Sequence, residues 1–199
     1  MVNKKLKFER SLIGEVDPMF VERWSPRSFL NDPLSDQEIE AIFEAARWAP
    51  SSSNSQPWEF VYATNGPERD EFDALLREGN RQWVPHAPLL ILVLSKKFSE
   101  NGKVLRTNMF DAGAASMSIA FQANKLGLYA HAIGGILIDE IHEILRIPRD
   151  EYDIICAMAI GRHGPVQELS DGHKEQEFPN DRKPCSEFVW KWPAKGKAW

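Results

Sequence analysis

Cysteine is scarce in this chain of 199 residues, which contains only Cys156 and Cys185. Their spacing matches no zinc-binding or redox motif, so we expect two free thiols, as is usual in a reducing cytosol. No apolar run is long enough to span a membrane. The basic N-terminus, residues 1–7, lacks the apolar stretch that follows in a signal peptide. These absences predict a soluble, cytoplasmic protein.

Several signatures of nucleotide binding and catalysis are also absent. The chain has no Gly-x-Gly-x-x-Gly fingerprint and no Walker A loop, which argues against a Rossmann or P-loop nucleotide site. No two histidines have the helical spacing of metal ligands, and no Ser-His-Asp arrangement stands out, so we expect no metal site and no catalytic triad. The formal net charge of -5 argues against a general nucleic-acid binder, because such proteins usually carry a basic excess.

The residues that are present are those of an ordinary globular domain. Hydrophobic residues make up 43% and charged residues 27% of the chain, and its length suits one domain with a full core. No repeat or low-complexity linker divides residues 1–199. Ser35 and Glu38 form a capping box, so a helix begins there and ends near Ala49, before Pro50.

Alternating and continuous apolar patterns predict the remaining elements. Strands are expected at 58–63, 88–95, 129–136 and 153–160, and helices at 67–78, 108–126 and 138–145. Residues 88–95 are nearly all apolar, which predicts a strand buried on both faces. Small residues in 108–126 favour a central helix that packs closely on every side, with Met109 and Phe110 in the core.

The tail from Gly164 onward is polar and irregular, yet it carries several aromatic residues: Phe188, Trp190, Trp192 and Trp199. So many aromatic side chains are not expected to face water. The tail therefore either packs on its own domain or reaches across to a partner subunit. We favour the exchange, because few regular elements precede the aromatic residues.

The first candidate functional stretch is Arg23-Trp24-Ser25-Pro26-Arg27-Ser28-Phe29. A guanidinium can donate two hydrogen bonds at once to a phosphate, and serine hydroxyls with backbone N–H groups can complete the cradle. Taken alone, such a stretch is also compatible with a solvated surface loop.

The second stretch follows the first predicted helix and runs from Ala49 to Trp58. Between its two prolines it contains Ser51, Ser52, Ser53, Asn54, Ser55 and Gln56. A plain helix-to-strand connection has no need for so many amides and hydroxyls. Such a loop can hydrogen-bond a flat heterocycle with polar edges.

The pattern Arg-x-Ser-x-Arg-x-Phe, a capped helix, and then Ala-Pro-Ser-x-x-Asn-x-Gln-Pro-Trp resembles the nitroreductase family, and the likeness covers nearly the whole chain. The resemblance implies an α+β fold with a mixed β-sheet flanked by helices. It also implies a homodimer that binds FMN at the subunit interface, with a C-terminal extension, here residues 165–199, wrapped around the partner.

The resemblance assigns the first stretch to the flavin phosphate and one ring edge. It implies that Arg23, Ser25 and the Trp24 backbone hold the phosphate, together with Arg182 near the C-terminus. Arg27 is expected beside the N1 and O2 edge, where a cation stabilises the reduced flavin.

Other assignments concern the flavin ring. The resemblance implies ring contacts from the partner subunit by Pro50, Ser51, Ser52 and Asn54. Asn80 is expected at the pyrimidine edge. The segment Ala132, Ile133, Gly134 and Gly135 is expected beside the ring, where its glycines allow close approach of the backbone.

Two positions depart from the family pattern. Gly134 stands where some relatives carry an acidic residue, which leaves more room above the ring. Asn180 stands where a second phosphate-binding cation is expected, so we expect a weaker clamp or a shifted register that involves Lys183.

The implied activity is transfer of hydride from NAD(P)H through flavin N5 to a nitroaromatic or quinone acceptor, by a ping-pong mechanism that needs no catalytic side chain. Alternatives are another flavin reaction on the same scaffold (reductive dehalogenation or dehydrogenation) and a non-catalytic flavin-binding protein. We expect His131 to be a packing residue and His163 to be a surface or loop group. Trp83 either lines the site or caps the core.

Overall fold

The computed structural model describes residue 10 and residues 14–192. Its sheet has four strands, β1 (Trp58–Thr64), β2 (Leu89–Lys96), β3 (Tyr129–Ile133) and β4 (Tyr152–Gly161), in the order β1-β2-β4-β3. The α+β class is therefore confirmed. All three pairings are antiparallel, so the described residues of one chain do not form the mixed sheet that the resemblance implied. Strands β2 and β3 run parallel to each other on either side of β4, and the connection between them crosses over β4 through the helix of residues 108–125, but no two neighbouring strands are parallel.

The two inner strands carry the core. Residues 89–95 of β2 are all buried, which confirms a strand covered on both faces. Leu90, Leu92 and Leu94 face one hydrophobic cluster, while Leu89, Ile91 and Val93 face the other. This division follows from the alternation of side chains along a strand. Within the described part of the chain, the edge strands β1 and β3 each pair with a neighbour on one side only.

Seven helices surround the sheet in the described part of the chain: α1 (Pro18–Glu22), α2 (Asp36–Arg47), α3 (Arg69–Asp73), α4 (Glu78–Arg81), α5 (Asn108–Lys125), α6 (Ile138–Ile144) and α7 (Asp171–Lys174). The capping box of Ser35 and Glu38 is present at the start of α2. Among the helices of the described residues, none is both long and apolar enough to cross a membrane.

The single helix predicted at 67–78 is wrong, because the chain forms α3 and α4 with a break between them. Leu76 makes an antiparallel bridge to Ile136, and the Arg77 N–H donates to the Gly135 carbonyl at 2.9 Å. These tertiary contacts hold the chain extended where the apolar spacing favoured a helix. The break brings α4 next to the end of β3.

Helix α5 is covered on one side only. Its buried side is formed mostly by small residues, Ala112, Ala115, Ala120 and Ala123, with Ile119. Phe110 is 79% exposed, Met109 55% and Met117 41%. The expectation of a helix packed on every side, with Met109 and Phe110 in the core, is therefore wrong for the single chain, because no described element covers this face.

Candidate functional site

The Arg23–Phe29 stretch is fixed beside the end of β4. The Leu30 N–H donates to the Arg162 carbonyl and the Gly164 N–H donates to the Ser28 carbonyl, each at 2.9 Å. A Cβ at Gly164 would lie 2.6 Å from the Phe29 carbonyl oxygen. Only glycine permits this approach of the two backbones. The stretch is therefore a structured segment and not a solvated loop.

A buried carboxylate holds the same stretch from the C-terminal side. Glu177 accepts hydrogen bonds from the Arg27 N–H at 2.9 and 3.0 Å and from the Ser28 N–H at 2.9 Å. Its side chain is fully enclosed and lies 3.4 Å from His163 Nε2. Burial raises the pKa of Glu177, but the nearby His163 ring and the hydrogen bonds from the Ser28 and Arg27 N–H groups outweigh it and hold the pKa below the ordinary value.

Three guanidiniums gather next to this segment. Arg23 Nη1 lies 3.5 Å from Ser25 Oγ. Burial lowers the pKa of Arg23, and the nearby charge of Arg182 lowers it further. Burial likewise lowers the pKa of Arg10, with added repulsion from Arg182 and Arg23. The residues assigned to a phosphate from the sequence are thus brought together, and Arg10 joins them. We call Arg10, Arg23 and Arg182 the arginine cluster.

One atom of the arginine cluster lacks a hydrogen-bond partner among the residues that the structure describes. Arg23 Nε is buried and makes no hydrogen bond to another described residue. A buried N–H without a partner costs about 1–3 kcal/mol. Such a donor, next to two other guanidiniums and a serine hydroxyl, fits an anionic ligand with several oxygens.

The rest of the Arg23–Phe29 stretch lies alongside β3, in the order of the strand's residues. The Trp24 ring packs against the Tyr129 ring with centroids 6.0 Å apart. Next along the strand, His131 Nδ1 lies 2.8 Å from the Pro26 carbonyl, which places Arg27 beside His131. Burial lowers the pKa of His131. The packing role predicted for His131 is thereby confirmed, since its ring also lies 4.8 Å from the Trp83 ring.

Beyond the end of β3, Asn80 Nδ2 donates to the Gly135 carbonyl at 3.1 Å. A Cβ on Gly135 would collide with this amide, whereas nothing lies within 4 Å of the position that a Cβ on Gly134 would take. Ala132 and Gly134 are exposed and Ile133 is buried. The segment therefore offers an open backbone edge, with the Asn80 amide on one side.

The structure also decides the roles of Trp83 and His163. Trp83 is 1% exposed and stacks on Phe29 with centroids 6.1 Å apart, so it caps the core and does not line the site. His163 was expected at the surface or in a loop. It bridges to Phe29 just beyond β4, and its side chain is only 20% exposed. It is enclosed because Trp24 and Glu177 cover it.

The second stretch lies elsewhere, at the start of α5. The Ser52 N–H donates to Asp111 Oδ2 at 3.1 Å. Ser53, Asn54 and Gln56 all have positive φ, a conformation that is costly for residues other than glycine and often marks a functional loop. With the segment 98–107, residues 52–56 line a cavity of about 900 Å³.

The two stretches are therefore separated within one chain. Helix α1, which leads into Arg23, packs through Phe20 on Phe121 with ring centroids 4.9 Å apart, while Ser52 binds Asp111. These two positions on α5 are about 15 Å apart along the helix axis, at 1.5 Å per residue. One chain thus groups Arg23, Trp24, Ser25, Arg27, Asn80, Arg182 and 132–135 around β3, and leaves Pro50, Ser51, Ser52 and Asn54 apart.

Two residues of the site were missed from the sequence. Arg10 and Glu177 stand in polar segments without a recognisable motif, and only the folded chain shows that they contact the Arg23–Phe29 stretch. The first part of the C-terminal extension also packs on its own chain, since Leu169 is in the core. The exposed aromatic residues begin at Phe188, and Trp199 lies outside the described residues.

Comparisons with known proteins identify the family and the fold. A family model described as the nitroreductase family matches residues 21–82 and 73–162. A Streptomyces coelicolor protein, provisionally named an NADH dehydrogenase/NAD(P)H nitroreductase, is 25% identical over 169 residues, which are 75% of this chain and 85% of that protein. A crystal structure described as an oxidoreductase containing FMN is 40% identical, covers 99% of this chain and 100% of its own, and has a TM-score of 0.89. The structure of a provisionally named nitroreductase in complex with FMN, from Desulfovibrio desulfuricans, is 25% identical with a TM-score of 0.70 and covers 90% of this chain and 99% of its own.

Proposed function

Because the chain belongs to the nitroreductase family, we propose that it is an FMN-dependent oxidoreductase that takes hydride from NAD(P)H and passes it to a nitroaromatic or quinone acceptor. The observation that carries the proposal is that the like charges of Arg23 and Arg182 lie close together beside Ser25, with Arg23 Nε buried and unpartnered among the described residues. This arrangement fits the terminal phosphate of FMN.

The order of groups along β3 fits the rest of the cofactor. From Tyr129 to Gly135 the chain extends at most about 20 Å, at about 3.3 Å per residue. Trp24 marks the phosphate end, Arg27 follows beside His131, and Asn80 binds the Gly135 carbonyl at the far end. In the proposal Arg27 would stabilise negative charge at the N1 edge, and the segment 132–135, in which Ala132 and Gly134 are exposed, would lie along the ring.

The separation of the two stretches supports a homodimer. Exposed Met109, Phe110 and Met117 form an apolar stripe on α5. If two copies pair through this stripe with their α5 helices antiparallel, the start of one helix lies beside the end of the other. The loop of residues 50–54 from one subunit then comes close to Arg23 of its partner. The exposed Trp190 and Trp192 of the tail would add to this interface.

The chemistry follows from the bound cofactor. Bound FMN would supply the hydride transfer between a nicotinamide and a second substrate, so the part left to the protein is to bind and orient these molecules and to exclude water. The cavity of about 900 Å³ beside residues 52–56 is large enough for a nicotinamide ring or an aromatic acceptor. We propose that the two substrates occupy it in turn, which gives ping-pong kinetics. A cytoplasmic location stays a prediction.

The proposal is tested by mixing the FMN-loaded protein with NADH or NADPH without oxygen. We expect the flavin absorbance to bleach within seconds and to return on addition of a quinone or nitroaromatic compound. Parallel lines in double-reciprocal plots would support the shared pocket. A protein that binds no flavin would refute the proposal, and one that binds FMN without bleaching would favour a non-catalytic flavin-binding protein.

Other flavin reactions on the same scaffold, reductive dehalogenation and dehydrogenation, are distinguished by the acceptor. Steady-state rates with both nicotinamides against a panel of quinones, nitroaromatics and halogenated aromatics identify the class. We expect the highest kcat/KM with a quinone or a nitroaromatic compound.

A further inference from the structure

The arginine cluster carries more charge than its surroundings balance. Among the ion pairs of the described residues, none involves Arg10, Arg23 or Arg182. Asp181 is the one carboxylate that raises the pKa of Arg10, against lowering by burial, Arg182 and Arg23. Three cations that repel one another in a partly buried place are stabilised by a ligand with more than one negative charge.

Arg10 differs from the other two arginines in what its guanidinium contacts. Its Nε donates to the Asn180 carbonyl at 3.0 Å. Its Nη1 donates to the Arg23 carbonyl at 3.2 Å and also to the Val21 carbonyl. One side chain thus ties the backbone that carries Arg23 to the backbone that precedes Arg182. The two segments are far apart in sequence, and within the described part of the chain Arg23 itself makes no hydrogen bond to residues 180–182.

We propose that Arg10 is a positioning residue that holds the backbone of Arg23 against the backbone of Asn180. As the third cation of the arginine cluster, it also makes the site selective for a flavin with a terminal phosphate dianion. The guanidinium suits this task because its fork can bind carbonyls of both segments and still place its charge beside Arg23 and Arg182. Loss of Arg10 therefore removes one charge and lets the other two cations separate. This inference rests on the proposed FMN site.

The test compares FMN with riboflavin, which has the same ring but no phosphate. Dissociation constants for both flavins are measured by fluorescence titration of the flavin-free protein, for the wild type, Arg10→Gln, Arg10→Lys and Arg23→Ala. Arg149→Gln is the matched control. Arg149 is exposed, forms an ion pair with Asp139, and lies just before the start of β4, away from the arginine cluster.

We expect Arg10→Gln to weaken FMN binding about tenfold, equivalent to about 1.4 kcal/mol, and to change riboflavin binding less than twofold. Arg10→Lys keeps the charge but not the fork, so its loss for FMN is expected to be intermediate. The FMN-to-riboflavin preference should also fall with added salt in the wild type more than in Arg10→Gln. Arg149→Gln should behave as the wild type.

Three outcomes would overturn the proposal. Equal weakening of FMN and riboflavin by Arg10→Gln, with a lower melting temperature, would make Arg10 a purely structural residue. Unchanged FMN binding would remove it from the site. If Arg23→Ala lowers the preference for FMN over riboflavin but neither Arg10 variant does, this inference fails and the proposed function stands. If Arg23→Ala also leaves that preference unchanged, the phosphate site itself is elsewhere.

Discussion

Substitution of Glu177 gives the most direct test, because this one buried carboxylate fixes the backbone of the Arg23–Phe29 stretch. It accepts hydrogen bonds from the Arg27 and Ser28 N–H groups at 2.9–3.0 Å. Glu177→Gln keeps one acceptor oxygen but turns an NH₂ group toward a backbone donor. Hydrogen bonds to a charged group contribute about 1.5–3 kcal/mol each, so we expect a loss of about 2 kcal/mol. In a chain of this length that lowers the melting temperature by about 4–8 °C.

The stabilisation by Glu177 should depend on pH in a definite direction. Because the folded pKa of Glu177 is held below its unfolded value, its stabilisation is present at neutral pH and is lost as pH falls through the lowered folded pKa. The difference in melting temperature between the wild type and Glu177→Gln should therefore be largest near pH 7. It should shrink as the pH falls below the unfolded pKa of about 4.3.

Thermal unfolding of the flavin-free protein from pH 7 to pH 3.5 measures both effects, and FMN titration of the same samples reports on the motif. Glu175→Gln is the matched control, since Glu175 is exposed and only two positions away. Equal melting temperatures at pH 7, or a difference that does not change with pH, would refute the reasoning. FMN binding should weaken in Glu177→Gln, because the Arg27 backbone is no longer fixed.

The remaining predictions concern other parts of the chain. Gly135→Ala should displace the Asn80 side-chain amide, which weakens flavin binding and costs about 0.5–1.5 kcal/mol for the lost hydrogen bond to the Gly135 carbonyl, whereas Gly134→Ala has open space and should be near neutral; equal flavin affinities of the two variants would contradict this. Burial raises the pKa of Cys156 to about 11, so iodoacetamide at pH 8 should label Cys185 and spare Cys156 in the folded protein, as peptide mass mapping can check. A chain ending at Pro184 keeps the arginine cluster but loses the exposed aromatic tail, and it should sediment as a weaker dimer; an unchanged dimer would argue against the tail exchange.

Much of the local structure could be predicted from the sequence. The capping box at Ser35, the doubly buried strand β2 and the end of β4 near Gly161 depend on contacts between neighbours or on simple burial patterns. The helix at 67–78 could not be predicted correctly, since its apolar spacing suits a helix and only the bridge from Leu76 to Ile136 breaks it. Local propensity is overruled there by a distant partner.

The candidate site divides in the same way. Arg23, Ser25 and Arg27 could be identified from residue type and spacing, because phosphate chemistry needs guanidiniums and hydroxyls in a short stretch. Arg10 and Glu177 could not, since a lone arginine or glutamate in a polar segment carries no pattern. Their roles arise from hydrogen bonds to residues that are distant in the sequence.

The sequence by itself determined the family pattern and which residue types can meet a phosphate and a flat ring. Only the tertiary structure decided which of them meet within one chain. Residues along β3 come together because the Arg23–Phe29 stretch pairs beside β4. The loop of residues 50–54 is held at the start of α5 instead, through Asp111. A rigid helix keeps the two stretches apart, and a distance of that kind is set by packing and not by any local pattern of residues.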